Sequence, residues 1–308
     1  MHRTVSALAL LALASGCLDL RHEEKAPAIV ATFYPLAFFA EQITGGDPPV
    51  RVLVADGVPT REWEPSLGSL LSASSARLIL YNGRGLEPWI GPVIESASQD
   101  HSVTVVDASA GVFIMTEGQY EELLDGTGSE DETSPDPHVW LDPVRAQRVV
   151  LNIVAGLQET FPARAPEFKE RGEALRSALA ALDETFRHGL GQCENRHLFV
   201  LPNAFGYLDH RYNLYQHGLL SFDRETEPTP ARLDAVISLF EQVQATAVFY
   251  DSKTNPGLSR IVAEEAHVPL LPLNTIESLQ RGDRVDGKTY FTLMQSNLNS
   301  LREGLGCL

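Results

Sequence analysis

The chain has 308 residues, 41 acidic against 24 basic side chains, and a formal net charge of −17. An apolar fraction of 44 % beside 21 % charged residues is that of a globular protein, and the length suffices for one large domain or two ordinary ones, which excludes a disordered chain. The acidic balance argues against nucleic acid as a partner, because phosphate binding needs clustered Lys and Arg.

Met1-His2-Arg3 is a short basic start, and Thr4 to Ala14 is an apolar run of secretory length. Leu13-Ala14-Ser15-Gly16-Cys17 follows and resembles the lipobox of bacterial lipoproteins, which implies cleavage before Cys17 and lipidation of it. The plainer alternative is an ordinary signal peptide with a chance cysteine. Residues 1–16 are thus expected as a signal peptide and 17–27 as a polar leash, placing the body outside the cytoplasm and holding it to the membrane through Cys17. No later apolar run approaches the ~18 residues that span a bilayer. Outside the cytoplasm thiols oxidise, and Cys193 and Cys307 remain as an even pair. A disulfide between them closes a long loop, worth ~4–5 kcal/mol in the chain-entropy model; two unpaired cysteines are the alternative.

From Ala28 short apolar runs alternate with amphipathic segments. Strands are expected at Ile29–Phe33, Val50–Val54, Leu78–Tyr81 and Val103–Val106, and helices at Leu36–Ile43, Leu67–Ala76 and from Gly85 through Trp89. Asp142-Pro143 opens a helix to about Thr160, with an acceptor at the N-cap and Pro at the first helical position. After Pro166, Phe168, Leu175, Leu179, Leu182, Phe186 and Leu190 recur at helical spacing, and Gly189 and Gly191 end that longer helix. Strands then fall at Leu198–Leu201, Ala247–Tyr250 and Leu270–Leu273, and helices at Arg232–Gln242, Leu258–Ala266 and Tyr290–Leu305. Continuous apolar strands separated by helices mean parallel sheets covered on both faces. Glu64-Pro65-Ser66 and Glu227-Pro228-Thr229 each lead into a helix and then a strand, an echo between the two halves. The expected fold is α/β, two similar lobes (28–160 and 192–308) joined by a linking helix over 161–191. Within the first of them Glu117 to Asp136 is rich in Asp, Glu, Gly and Ser, a solvated loop or an acidic arm that collects cations.

Several stretches together resemble the solute-binding proteins of zinc and manganese ABC transporters, the group with a rigid helix between lobes. They are Thr32-Phe33-Tyr34-Pro35-Leu36, Trp63-Glu64-Pro65-Ser66, Tyr81-Asn82-Gly83 with Leu86-Glu87-Pro88-Trp89, Asp136-Pro137-His138-Val139-Trp140-Leu141-Asp142-Pro143, Ala204-Phe205-Gly206-Tyr207, and Tyr290-Phe291 to Asn297-Leu298. The resemblance implies a receptor that captures zinc or manganese as cargo and hands it to a membrane permease. It also implies a metal held between the lobes by histidines and carboxylates from four loops.

Carried over loop by loop, the ligand positions are uneven. The second loop keeps its ligand as His138, whereas the other positions fall on Arg61, Pro202 and Asn274. Zinc takes three or four N, O or S donors; Arg offers only hydrogen-bond donors and a positive charge, and Pro has no ligand atom. Replacement ligands are sought in Glu62, Glu64, His210, Asp251 and Glu277, each with a plain alternative: Glu64 and Asp251 as helix caps, His210 and His217 as surface residues. His138 itself can serve packing beside Trp140. Another reading makes Arg61, His138 and Asn274 a donor-rich cleft for an anionic solute or a metal chelate, since Arg grips carboxylate and phosphate bidentately; Arg61 paired with Glu62 or Glu64 is its alternative. A third makes the cleft vestigial and the protein an interaction partner. No Gly-x-Ser-x-Gly elbow, His-Glu-x-x-His or phosphate-cradling glycine loop is present, so no enzyme class is supported.

Overall fold

The computed structural model describes residues 28–98, 103–115, 135–201, 203–218, 230–252, 256–280 and 282–308. The lipobox with Cys17, most of the acidic segment and the second member of the Glu-Pro echo lie outside them.

The N-terminal sheet contains β1 (Ile29–Ala31), β2 (Val50–Val52), β3 (Leu78–Tyr81) and β4 (Thr104–Asp107), all parallel, in the order β2-β1-β3-β4. The C-terminal sheet contains β5 (His197–Leu201), β6 (Tyr215–Gly218), β7 (Val248–Tyr250) and β8 (Leu270–Pro272), also parallel, in the order β6-β5-β7-β8. The orders are equivalent, so the two lobes share one topology. Ile29, Val30 and Ala31 have no solvent exposure, and neither do Leu78, Ile79 and Leu80. These central strands are covered on both faces, as their unbroken apolar runs require.

The helices of the first lobe are α1 (Tyr34–Thr44), α2 (Leu67–Ser74) and α3 (Ile90–Ala97). Ser66, not Glu64, caps α2, its hydroxyl accepting from the Ser69 backbone N–H at 3.1 Å. The expected helix through Trp89 is instead an irregular loop, with α3 starting at Ile90. Gly83, Arg84 and Gly85 all have left-handed φ, at 75°, 58° and 77°, and the Glu87 carboxylate takes the backbone N–H groups of Asn82 and Gly83. That conformation cannot continue as a right-handed helix.

A 3-10 turn (Val139–Leu141) leads to α4 (Pro143–Thr160), where Asp142 caps the Val144 and Arg145 N–H groups. Next comes α5 (Ala165–Gly189), whose 25 residues span about 37 Å at 1.5 Å each. Its buried Phe168, Leu175, Leu179, Leu182 and Phe186 seat it along α4 and against α1 and, at its far end, α9 (Tyr290–Gly304). The second lobe adds α6 (Gly206–Tyr212), α7 (Pro230–Gln242) and α8 (Gly257–Glu265). Cys193 and Cys307 form a disulfide, tying the chain after α5 to the chain after α9, where Leu308 N–H also donates to the Gln192 carbonyl at 3.0 Å. Among the described residues no helix is long and apolar enough to cross a membrane.

Candidate metal cleft between the lobes

In open parallel sheets, binding loops gather beyond the carboxyl ends of the strands. Here the loops after β2, β3 and β4 meet those after β5, β7 and β8 across the seam between lobes. Trp140, fully buried beside Phe33 with ring centroids 4.8 Å apart, donates its indole N–H to the Thr275 carbonyl at 2.8 Å. The Tyr290 hydroxyl donates to the Trp140 carbonyl at 2.6 Å. The Tyr207 hydroxyl donates to the Asp136 carbonyl at 2.8 Å and accepts the Met115 N–H at 3.2 Å. Burial pushes both tyrosines well above their ordinary range, so they remain hydrogen-bond donors.

On this seam lies His138. The Asp136 carboxylate, wholly buried, accepts from the His138 backbone N–H at 2.9 Å and holds its Nδ1 at 2.7 Å through the same oxygen. A carboxylate at Nδ1 fixes the proton there and leaves Nε2 as the basic nitrogen, the tautomer a metal requires. The peptide is held from behind as well: Asn82 donates its amide N–H to the Pro137 carbonyl at 2.9 Å. Asn82 is in turn fixed by Glu87, which accepts the Asn82 N–H at 2.7 Å, the Thr32 hydroxyl at 2.7 Å and the Gly83 N–H at 3.0 Å. Burial raises the Glu87 carboxyl to about 7 against those donors.

The loop bearing Arg61 is anchored on both sides. Trp89 donates its indole N–H to the Thr60 carbonyl at 2.7 Å, and the Thr60 N–H donates to Glu277 of the other lobe at 2.6 Å. Glu277 therefore reaches the seam one residue from half-buried Arg61. An exposed ion pair, Arg284 to Asp56 at 2.8 Å, closes the same edge.

The remaining positions are dispersed. Glu62 and Glu64 are exposed. Asn274 is buried with its amide oxygen accepting the Ile276 N–H at 2.6 Å, while the Asn297 side chain takes both its backbone N–H and its carbonyl at 2.7 Å. Asp251 is buried and accepts the Thr275 hydroxyl at 2.7 Å; the N-cap position of α8 is Pro256, whose side chain makes no cap hydrogen bond. His210 is exposed at the end of α6. Pro202 lies outside the described residues. His217, expected at the surface, is buried, with Nε2 2.8 Å from His197 Nδ1, and burial lowers it to about 4. No three His, Cys, Asp or Glu side chains among the described residues surround a common point. His138 and Glu277 are the candidate donors that the loops bring to the seam. Sequence reasoning missed the supporting set of Thr32, Asn82 and Glu87, whose signal was the Tyr-Asn-Gly and Leu-Glu-Pro-Trp stretches.

The family model described as zinc-uptake complex component A, periplasmic, matches residues 29–304. The zinc-binding lipoprotein AdcA of Streptococcus pneumoniae is 27 % identical over 289 residues, covering 94 % of this chain and 58 % of AdcA. The chain thus spans little more than half the length of that relative. The high-affinity zinc uptake system protein ZnuA of Bacillus subtilis is 29 % identical over 278 residues, with 90 % of this chain and 87 % of ZnuA covered. The solved structure of the metal-dependent lipoprotein YcdH from Bacillus subtilis superposes with a TM-score of 0.76 at 27 % identity, covering 90 % and 98 % of the two chains.

Proposed function

The chain belongs to the family of periplasmic zinc-uptake component A proteins, and from that membership we propose that it is an extracytoplasmic solute-binding protein that captures zinc or manganese between its lobes. It delivers the ion to the permease of an ABC transporter, and its role is binding without a catalytic step. In this reading residues 1–16 are removed, Cys17 carries the lipid, 17–27 form the leash, and 28–160 and 192–308 are the lobes around the linking segment 161–191.

The observation that carries the reading is the Asp136-held imidazole of His138 at the junction of both lobes. Glu277, on the facing loop, adds a carboxylate. Arg61, Pro202 and Asn274 make the site poorer in donors than zinc chemistry favours, and Arg61 puts a positive charge near the cation. The expected behaviour is one zinc ion per chain, bound more weakly than by a four-ligand site.

Calorimetric titration of metal-stripped protein with zinc and with manganese tests this. His138→Ala should weaken zinc binding at least about tenfold, the scale on which even supporting groups of metal sites act, and Arg61→His should strengthen it. Absence of binding by either metal at micromolar concentration defeats the metal-receptor reading. It leaves the cleft of Arg61 and Asn274 to an anionic solute or chelate.

A further inference from the structure

A groove of about 520 Å³ opens where Phe113 and the start of α4 face the end of α6. Its walls carry Arg145, Arg148, His210 and Arg211, with Phe113 and Val144 among them. This concentration of cationic residues stands out in a chain with 41 acidic and 24 basic side chains.

Among the described residues, the two acids that pair with the groove's arginines are already engaged. Asp142 is buried and occupied by the Val144 and Arg145 N–H groups and the Arg145 guanidinium. Asp183, on α5, sits behind Arg211 and accepts from it at 2.8 and 2.6 Å, and also binds Arg187 and the Tyr212 hydroxyl. Those contacts hold Arg211 in place and keep the Asp183 carboxyl below its usual range. Arg145 is fixed a second way, its guanidinium 4.7 Å above the Tyr207 ring, and its Nε–H is buried without a hydrogen-bond partner. Arg148 is exposed, and no carboxylate of the described residues pairs with it or with His210. Gly111, at a left-handed φ of 71°, allows that guanidinium to lie against the loop; a Cβ there would stand 3.0 Å from Arg148 Nη2. Two arginines fixed by carboxylates, a third with none among the described residues and an imidazole converge on one opening. Beside them Phe113 is 68 % exposed and Val144 39 %.

We propose that this groove is an anion-binding site distinct from the metal cleft, taking a small molecule that carries a phosphate or carboxylate on an apolar body. Arg148 and His210 bind the oxyanion, Arg145 and Arg211 supply fixed positive charge, and Phe113 and Val144 carry the apolar part. The site joins residues of both lobes.

The test is titration of the full chain with phenyl phosphate and with inorganic phosphate at fixed ionic strength, followed by calorimetry and by the His210 imidazole resonances. Both probes are expected to saturate a single site, phenyl phosphate several-fold more tightly. Arg148→Gln should weaken each by about tenfold or more, the value of a charge-assisted hydrogen bond, and Phe113→Ala should erase the preference for phenyl phosphate. Unchanged circular dichroism and melting of these surface variants separate lost contacts from lost fold. No saturation by phenyl phosphate at ~10 mM, or equal affinities in the wild type and Arg148→Gln, overturns the proposal. So does Arg148-dependent binding found only with phosphatidylglycerol vesicles, which assigns the charge to a lipid surface.

Discussion

Glu87 and Asp209 are carboxyls sealed from solvent to the same degree, each 4 % exposed, one in each lobe. Glu87 gathers three donors and through Asn82 steadies the peptide that leads to His138. Neither carboxyl oxygen of Asp209 has a hydrogen-bond partner. Burial raises it well above its ordinary value, against the pull of the nearby Gln216 backbone amide. Equal burial therefore has opposite structural meaning: one acid is a junction of the fold, the other a cost the fold carries.

The largest effect expected from breaking this comparison is at Glu87. Glu87→Ala strands the Thr32, Asn82 and Gly83 donors and should destabilise the protein by about 3–5 kcal/mol in urea unfolding. Its titration gives a second measurement. A carboxyl raised from 4.5 to about 7 on folding binds its proton more tightly in the native state, so its contribution is complete below pH ~4.5 and is lost as pH rises through ~7. That amounts to about 3 kcal/mol of stability falling with pH, and Glu87→Gln should flatten this part of the profile. Asp209→Ala should act in the other direction, stabilising by about 1–3 kcal/mol at neutral pH, because it removes a buried group without partners. Its folded value is also raised, so the advantage should grow with pH and shrink toward pH ~4. The smallest effect is expected at Arg284→Ala: the pair with Asp56 leaves the Arg284 side chain 52 % exposed, and such pairs contribute about 1 kcal/mol or less.

The two lobes also differed in how readily they could be read from sequence. The apolar runs at Ile29, Leu78, Leu198 and Ala247 marked strands because buried central strands cannot alternate. Asp142-Pro143 marked a helix start because its cap and proline act locally. Missing were α6, seven residues long, and β6, whose Tyr-Gln-His-Gly carries no hydrophobic pattern at the sheet edge. Of the cleft, the Asp136–His138 pair was legible because its partners are two residues apart. The Thr60–Glu277 bond joins residues 217 apart, and only the meeting of the lobes creates it. Local chemistry is written in adjacent letters; the seam is not.

Four bonds at or beside the seam share one property. Trp140 binds the Thr275 carbonyl, Tyr290 the Trp140 carbonyl, Tyr207 the Asp136 carbonyl and Asn82 the Pro137 carbonyl. Every acceptor is main chain, and a backbone carbonyl is the same whatever side chain its residue bears. These four bonds are thereby indifferent to the side chains of the residues that supply the carbonyls. A lineage can exchange cleft side chains one by one and still inherit an intact two-lobed body. An arginine at position 61 is the kind of side chain such a framework tolerates.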